Sequence, residues 1–261
     1  MRIIVNADDC GYSPGINRGI IHTLRRGIVT GTTLMVNQPY SRHAVGLLKH
    51  WRVLSVGLHL NLTRGRPLSR PQFVPTLVNE AGQFHPPKSI YRLPINVREV
   101  EKEIEAQLDA LFQQGLEPTH LDAHHHLQSH PVIRDAMIRV AGKYALPLRH
   151  CCNKSKNAFL QAGIPTPDYF VSSFWDDRAT VPHICNILRH MSARCTGESV
   201  VELMTHPGFP RKNLCGSSYY RQRRQELLAL CSPVVKKLVK TLKIELVDYR
   251  CLSSLAGRIK N

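Results

Sequence analysis

The sequence predicts an α/β fold, an irregular (β/α) barrel that resembles a TIM barrel and forms one domain over residues 1–261. Short apolar runs rich in β-branched residues alternate with segments of helical periodicity. This alternation is typical of parallel strands joined by helices, and 261 residues suffice to bury a sizeable core. The candidate strands, whose number suits a (β/α) barrel, are residues 2–6, 31–36, 54–62, 119–123, 147–150, 168–172, 199–205 and 244–248.

Capping residues mark where the predicted helices begin and end. Ser13 precedes Pro14, a combination that favours a helix start. Asn96, with Glu99 three residues later, predicts the start of a helix that runs to Gln114 and stops at Gly115. The serine and proline at 232–233 predict a late helix in the same way.

One long stretch, residues 63–95, has no helical or strand periodicity. A connection of this length inside a compact domain is usually functional or mobile. It follows the third strand, so we consider two roles for it: a loop that covers the substrate, or a surface excursion that packs on the barrel.

The chain is strongly basic, with 35 Lys and Arg against 19 Asp and Glu and a formal net charge of +16. Such a balance suits an anionic partner, nucleic acid included. The basic residues at 211–212, 221–224 and 235–240 nevertheless fall on helical patterns without interleaved aromatic residues, so we expect solvated helix faces and no nucleic-acid partner.

The start of the sequence and its cysteines indicate a compartment. Met1 leads directly into the first apolar strand, and no later apolar run approaches the length of a membrane span. The eight cysteines lack CxxC pairs and dense spacing, which favours reduced thiols, mostly in the core. We therefore expect a soluble, cytoplasmic protein without a membrane partner.

Polar side chains lie at the ends of several predicted strands. In "SVGLHLNLT" the alternation of a strand directs His59 away from the leucines. In "THLDAHHHLQSHP" it places Asp122 and His124 on one face, and "VVELMTHPGF" ends a strand at His206. The carboxyl ends of parallel strands meet at one edge of an α/β fold, where active sites lie.

The first strand contributes two adjacent carboxylates, Asp8 and Asp9, in "IVNADDCGYSPG". Neighbouring carboxylates repel each other unless a metal or a base divides their roles. Two imidazoles and one carboxylate from different strands are a suitable ligand set for a divalent metal. We therefore expect one aspartate to bind a metal and the other to take a proton from the water on that metal.

Other chemistries fit the sequence less well. Phosphate-loop, nucleophile-elbow and dinucleotide-binding motifs are absent. Two histidines and a carboxylate also hold iron(II) in oxygenases, but the βα pattern does not match their folds. A metal-dependent phosphoesterase is the principal alternative, although it ordinarily uses more carboxylates. A basic nucleic-acid-binding protein with a structural metal would need a fourth ligand.

Five motifs together resemble the YdjC-like carbohydrate deacetylases, a family that includes the chitooligosaccharide deacetylases. They are "NADDCGYSPGINRGI", "TTLMVN", "GLHLNLT", "PTHLDAHHH" and "ELMTHPGF", in order between residue 3 and about residue 210. The resemblance implies an irregular (β/α) barrel and one divalent ion, Mg²⁺ or Zn²⁺. It also implies a hydrolase that removes the N-acetyl group from acetylated amino sugars or short chito-oligosaccharides.

The same resemblance assigns roles to individual residues. The metal ligands would be Asp9, His59 and His124. Asp8 would be the catalytic base that activates a metal-bound water, and His206 would protonate or orient the departing amine. Asp122 would hold a ligand imidazole in the correct tautomer.

The chain departs from the family pattern at Cys10, where phenylalanine is common, and at Gln128, where a histidine is frequent. Neither position is a proposed ligand. The arginines of residues 64–71 favour a phosphorylated or otherwise acidic sugar. We expect a small carbohydrate as the partner, and the sequence leaves the formation of a homo-oligomer open.

Overall fold

The computed structural model describes residues 1–195, 197–209 and 219–252. The chain folds into two compact units. The described parts of unit 1 lie within residues 1–34, 39–55 and 167–251, and unit 2 comprises residues 35–38, 56–166 and Leu252. The single domain expected from the sequence stays a prediction.

The strands of unit 1 are β1 (Arg2–Cys10), β2 (Gly31–Leu34), β5 (Tyr169–Val171), β6 (Val200–Thr205) and β7 (Glu245–Val247). Four of them form a parallel sheet in the order β2-β1-β6-β5. The start of β1 also pairs with β7 and its end pairs with β2, so the first strand has three partners. This sharing of one strand makes the sheet irregular. The helices are α1 (Pro14–Arg26), α2 (Ser41–His50), α7 (Val181–Arg194), α8 (Arg221–Cys231) and α9 (Pro233–Thr241).

Unit 2 contains the parallel pair β3 (Val56–Leu60) and β4 (Leu121–Ala123). The helices of this unit are α3 (Pro87–Ile90), α4 (Val97–Gln113), α5 (Pro131–Tyr144) and α6 (Asn153–Gln161). The parallel pairing and the alternation of strands with helices in the two units confirm the α/β fold class predicted from the sequence.

The prediction of a strand at residues 147–150 is wrong. Only an isolated parallel bridge between Leu121 and Leu148 forms there. The Leu121 N–H donates to the carbonyl of Pro147 and the Arg149 N–H donates to the carbonyl of Leu121, but Pro147 has no N–H with which to extend this pairing. The ladder therefore does not extend into a strand.

The predicted helix starts are confirmed. The Ser13 hydroxyl accepts a hydrogen bond from the Ile16 N–H, and the Asn96 side chain accepts one from the Arg98 N–H. The Ser232 hydroxyl caps α9 in the same way. Glu99 plays a different part from the one expected, because its carboxylate accepts bonds from the N–H and hydroxyl of Thr76.

The long connection after β3 is confirmed as an irregular segment. It contains two short 3₁₀ turns, Pro71–Phe73 and Pro75–Leu77, and the single-turn helix α3. Helix α4 holds it in place, since the fully buried Glu103 accepts hydrogen bonds from the N–H groups of Leu68 and Ser69.

Among the described residues, none of the helices is long and apolar enough to cross a membrane.

Candidate active site

Asp8 and Asp9 lie near the end of β1, where the strand is irregular. Its pairing with β2 shifts register between Ala7 and Cys10, and Asp9 has a φ of 65°. In a regular strand these neighbours would point to opposite faces, and the irregularity interrupts that alternation. Both side chains are buried, and the Asn6 amide donates to Oδ1 of Asp8 over 2.9 Å.

Asp9 forms a buried ion pair with Arg223 of α8. The Nη2 of Arg223 lies 2.5 Å from Oδ2 of Asp9, and both side chains are at most 4% exposed. Residues 221–224 were expected on a solvated helix face, and for Arg223 that expectation is wrong. Its guanidinium contributes a positive charge that stabilises the ionised form of Asp9.

His206 follows β6 and is positioned by Glu226 of α8. Its backbone N–H donates to Oε2 of Glu226 over 2.5 Å, and its Nδ1 lies 3.7 Å from Oε1 of the same carboxylate. Its Nε2 lies 3.9 Å from Oδ2 of Asp8. The Tyr219 hydroxyl also donates to Glu226, which is fully buried. The acid cluster, which we define as Asp8, Asp9, His206, Arg223 and Glu226, thus lies within unit 1.

The electrostatics of the acid cluster favour a protonated His206. Burial by itself lowers the pKa of this imidazole, but Glu226, Asp8 and Asp9 outweigh burial and raise the pKa above its ordinary value of 6.5. Burial and the neighbouring Glu226 raise the pKa of Tyr219, so this phenol stays protonated and continues to donate to Glu226.

The histidine cluster, which we define as His59, Asp122, His124 and Arg149, lies within unit 2. The register of β3 and β4 places His59 beside Asp122, and Nδ1 of His59 lies 2.7 Å from Oδ1 of Asp122. The other oxygen of Asp122 lies 2.7 Å from Nη1 of Arg149. All three side chains are almost fully buried. The carboxylate therefore joins the imidazole to a compensating positive charge.

His124 follows β4 directly and faces His59. Its Nδ1 lies 3.3 Å from Nε2 of His59, and the two rings meet edge to face. The next two residues, His125 and His126, have φ values of 57° and 53°, so the triple forms a tight left-handed turn. Nδ1 of His125 lies 2.8 Å from the Thr63 hydroxyl. This hydrogen bond connects the turn to the loop after β3.

The histidine cluster has the donor chemistry of a metal site. Asp122 fixes the proton of His59 on Nδ1, which leaves the lone pair of Nε2 directed toward His124. The 3.3 Å between these two imidazole nitrogens is also a separation at which both could bind one cation. The described residues contain groups of three histidine and carboxylate side chains that are close enough together to hold a metal ion. His59 is a member of every one of these groups.

Cys10 packs behind the site, as the sequence predicted. It is 1% exposed, and burial raises the pKa of its thiol to about 12, so it is not a nucleophile at neutral pH. Of the described cysteines, only Cys10 and Cys185 are buried, so the expectation that most lie in the core is wrong; Cys215 lies outside the described residues. Gln128 is buried and donates to the backbone of Arg149 over 3.4 Å.

Three charged residues of the site were not predicted from the sequence: Arg149, Arg223 and Glu226. A signal for the last two was present in "RQRRQELLAL". Arg223 lies four and seven residues before Leu227 and Leu230, both buried, so it falls on the apolar stripe of α8. Glu226, three residues after Arg223, lies on the same buried stripe. A charge on the buried stripe of a helix indicates a buried partner.

Comparisons with known proteins agree with the motifs. The family model described as YdjC-like protein matches residues 2–241. A protein of Brevibacillus brevis named carbohydrate deacetylase is 39% identical over 251 residues, covering 95% of this chain and 98% of its own length. A protein of the same name from Geobacillus stearothermophilus is 37% identical over 248 residues, with coverage of 95% and 96%.

A solved structure shares the fold closely. The crystal structure of a candidate cellobiose-phosphate cleavage protein from Enterococcus faecalis has a TM-score of 0.90 and 32% identity. The match covers 96% of this chain and 98% of that one. Sequence and fold therefore agree over nearly the whole chain, and the protein belongs to the YdjC-like family.

Proposed function

We propose that the protein is a carbohydrate deacetylase that hydrolyses the N-acetyl group of an amino sugar or a short chito-oligosaccharide. The observation that carries the proposal is the match of 95% of the chain to relatives named carbohydrate deacetylase. The acid and histidine clusters support it, because they supply a carboxylate base, a protonated imidazole and imidazole ligands.

In the proposed mechanism Asp9, His59 and His124 would hold one divalent ion, Mg²⁺ or Zn²⁺. Such an ion would polarise the acetamide carbonyl and lower the pKa of the attacking water. Arg223 keeps Asp9 ionised and holds its carboxylate in place. Asp122 keeps the proton of His59 on Nδ1, so that Nε2 is available as a ligand atom.

Asp8 and His206 would carry out the proton transfers. Asp8, oriented by the Asn6 amide, takes a proton from the water that attacks the acetyl carbonyl carbon. His206, protonated through Glu226, gives a proton to the sugar nitrogen as the C–N bond breaks. The products are acetate and the free amine. The reaction therefore requires an ionised Asp8 and a charged His206 at the outset.

Release of acetate tests the proposal. Purified protein, supplied with metal or treated with a chelator, is incubated with N-acetylglucosamine, chito-oligosaccharides and their phosphorylated forms. We expect acetate from at least one substrate, and only with metal. Absence of acetate from the whole panel, with metal bound, would contradict deacetylation.

A second candidate function is phosphoester hydrolysis. The fold neighbour of Enterococcus faecalis is named for the cleavage of a sugar phosphate, and residues 64–71 are rich in arginine. Release of phosphate without acetate, from the phosphorylated members of the same panel, would favour this second function.

The ligand assignment is tested separately by metal content. We expect His59→Ala and His124→Ala to bind substoichiometric metal, because each removes an imidazole donor. The exposed His190 provides the control, and His190→Ala should bind as much metal as the unmodified protein. Full metal occupancy in both ligand variants would overturn the assignment.

A further inference from the structure

Trp175 presents an exposed indole close to the acid cluster. The side chain is 50% exposed, although the preceding residue, Phe174, is completely buried. Tryptophan is highly buried on average in folded proteins, so a half-exposed indole near the acid cluster is a candidate binding surface. The only other tryptophan in the chain, Trp51, is 39% exposed, and the guanidinium of Arg25 lies 3.5 Å from its ring centroid.

The orientation of the indole is fixed by Tyr219. The two rings are nearly parallel, with centroids 5.3 Å apart and an interplanar angle of 21°. Tyr219 in turn meets the ring of His206 edge to face at 5.8 Å. A single aromatic ring therefore separates the indole from the proposed general acid.

Tyr219 and Gln222 also hold the backbone next to Trp175, through hydrogen bonds with Asp176. The Tyr219 hydroxyl accepts a hydrogen bond from the N–H of Asp176 over 2.9 Å, and it donates its own proton to Glu226. The Gln222 side chain donates to Oδ1 of Asp176 over 2.8 Å. Asp176 itself has a φ of 55°, which these contacts maintain. The segment is thus fixed to the residues that position His206.

We propose that the indole of Trp175 is a sugar-binding surface that stacks against the pyranose ring adjacent to the acetylated unit of a chito-oligosaccharide. This inference rests on the proposed function and specifies the substrate. A pyranose presents a face of C–H groups that packs on an aromatic ring, while its hydroxyl groups remain in water. A flat indole that is already held in one orientation binds such a ring with little loss of conformational freedom. The neighbouring sugar, rather than the reacting one, matches the position of the indole beyond Tyr219.

Substrate length provides the first test. We expect Trp175→Ala to lower kcat/KM by about tenfold on chito-oligosaccharides, mainly through KM, and to leave kcat/KM on N-acetylglucosamine within about twofold. Trp175→Phe should restore most of the loss, because it keeps an aromatic face. Equal losses on monomer and oligomer would overturn the proposal, since they would indicate that the indole only supports Tyr219. Unchanged kinetics on every substrate would overturn it too.

Fluorescence tests binding without turnover. In Trp51→Phe the indole of Trp175 is the only tryptophan, so titration with chitotriose should quench and shift its emission. The double variant that also carries Trp175→Phe serves as the blank. Absence of any change at millimolar chitotriose would overturn the stacking site. A clear titration together with no release of acetate would retain the binding site and reject deacetylation, so the two proposals fail separately.

Discussion

Oδ1 of Asp122 lies 2.7 Å from Nδ1 of His59, and both side chains are buried in adjacent strands. This contact fixes the ring of His59 and selects the tautomer that offers Nε2 as a donor atom. It is the contact that the family resemblance implied for Asp122. The structure adds that the carboxylate has a second buried partner, Arg149.

Because Asp122 sets the tautomer of His59, Asp122→Asn should weaken metal binding. The asparagine amide can donate to Nδ1 and so move the proton of His59 to Nε2, which then lacks a lone pair for metal. We expect metal affinity to fall by about 10- to 100-fold, as measured by titration with Zn²⁺ or Mg²⁺. Asp109→Asn, on the exposed face of α4, should leave the affinity unchanged. Equal affinities in the two variants would show that the tautomer of His59 does not control binding.

The buried ion pair between Arg149 and Asp122 should contribute to the unfolding free energy. Its side chain and that of Asp122 are both 0% exposed, so Arg149→Met leaves a buried carboxylate without its positive partner. Breaking a buried pair in this way costs about 3–5 kcal/mol of unfolding free energy, which urea denaturation can measure. Arg139→Ala, which removes an exposed pair with Glu101, should cost less than about 1 kcal/mol. Similar losses for the two variants would contradict a stabilising role for the buried pair.

Glu226 controls the pH dependence of the proposed reaction. It contributes to the raised pKa of His206, so His206 remains charged to a higher pH than an ordinary histidine. Glu226→Gln removes the negative charge and lowers that pKa. Since the charged imidazole is the proposed proton donor, the alkaline limb of the kcat profile should move to lower pH. The matched control is Glu245→Gln, at an exposed position of β7, which should leave the profile in place.

An alkaline limb that is identical in the Glu226 variant and the unmodified protein would contradict this role. The pH dependence of the unfolding free energy should shift in the same direction as the kcat profile. A pKa of His206 that is raised in the folded state adds stability, and this stability is complete below the pKa of the unfolded chain. That contribution disappears as the pH rises through the raised pKa of His206. The Glu226 variant should therefore lose it at lower pH.

Seven of the eight expected strands and the starts of α1, α4 and α9 could be predicted because they depend on local sequence. Ser13 and Asn96 cap their helices through backbone N–H groups within three residues, so sequence alone identifies them. The strand expected at residues 147–150 does not form, because Pro147 lacks the N–H that would lengthen its pairing with β4 beyond Leu148. The apolar pattern of these four residues does not reflect this missing donor.

The candidate site was predictable where side chains follow strand ends, and not where distant helices contribute charges. His59 and Asp122 were found because strand alternation sets their direction. Arg223 reaches Asp9 across 214 positions of the chain, and Glu226 reaches His206 from the same helix. The many arginines around residue 223 resemble an ordinary solvated face, so the one that is buried can be recognised only from its position on the apolar stripe.

The two adjacent aspartates should separate into a base and a ligand when each is changed to asparagine. Asp8→Asn keeps the shape of the side chain beside Asn6 but cannot accept a proton, so we expect metal content to stay and turnover to fall by about 10²- to 10⁴-fold. Asp9→Asn removes the proposed anionic ligand and leaves Arg223 buried without the carboxylate of Asp9, so it should lower metal content. Metal analysis and acetate release on the same preparations decide between them. Loss of metal from the Asp8 variant, with metal retained in the Asp9 variant, would show that the two roles are reversed.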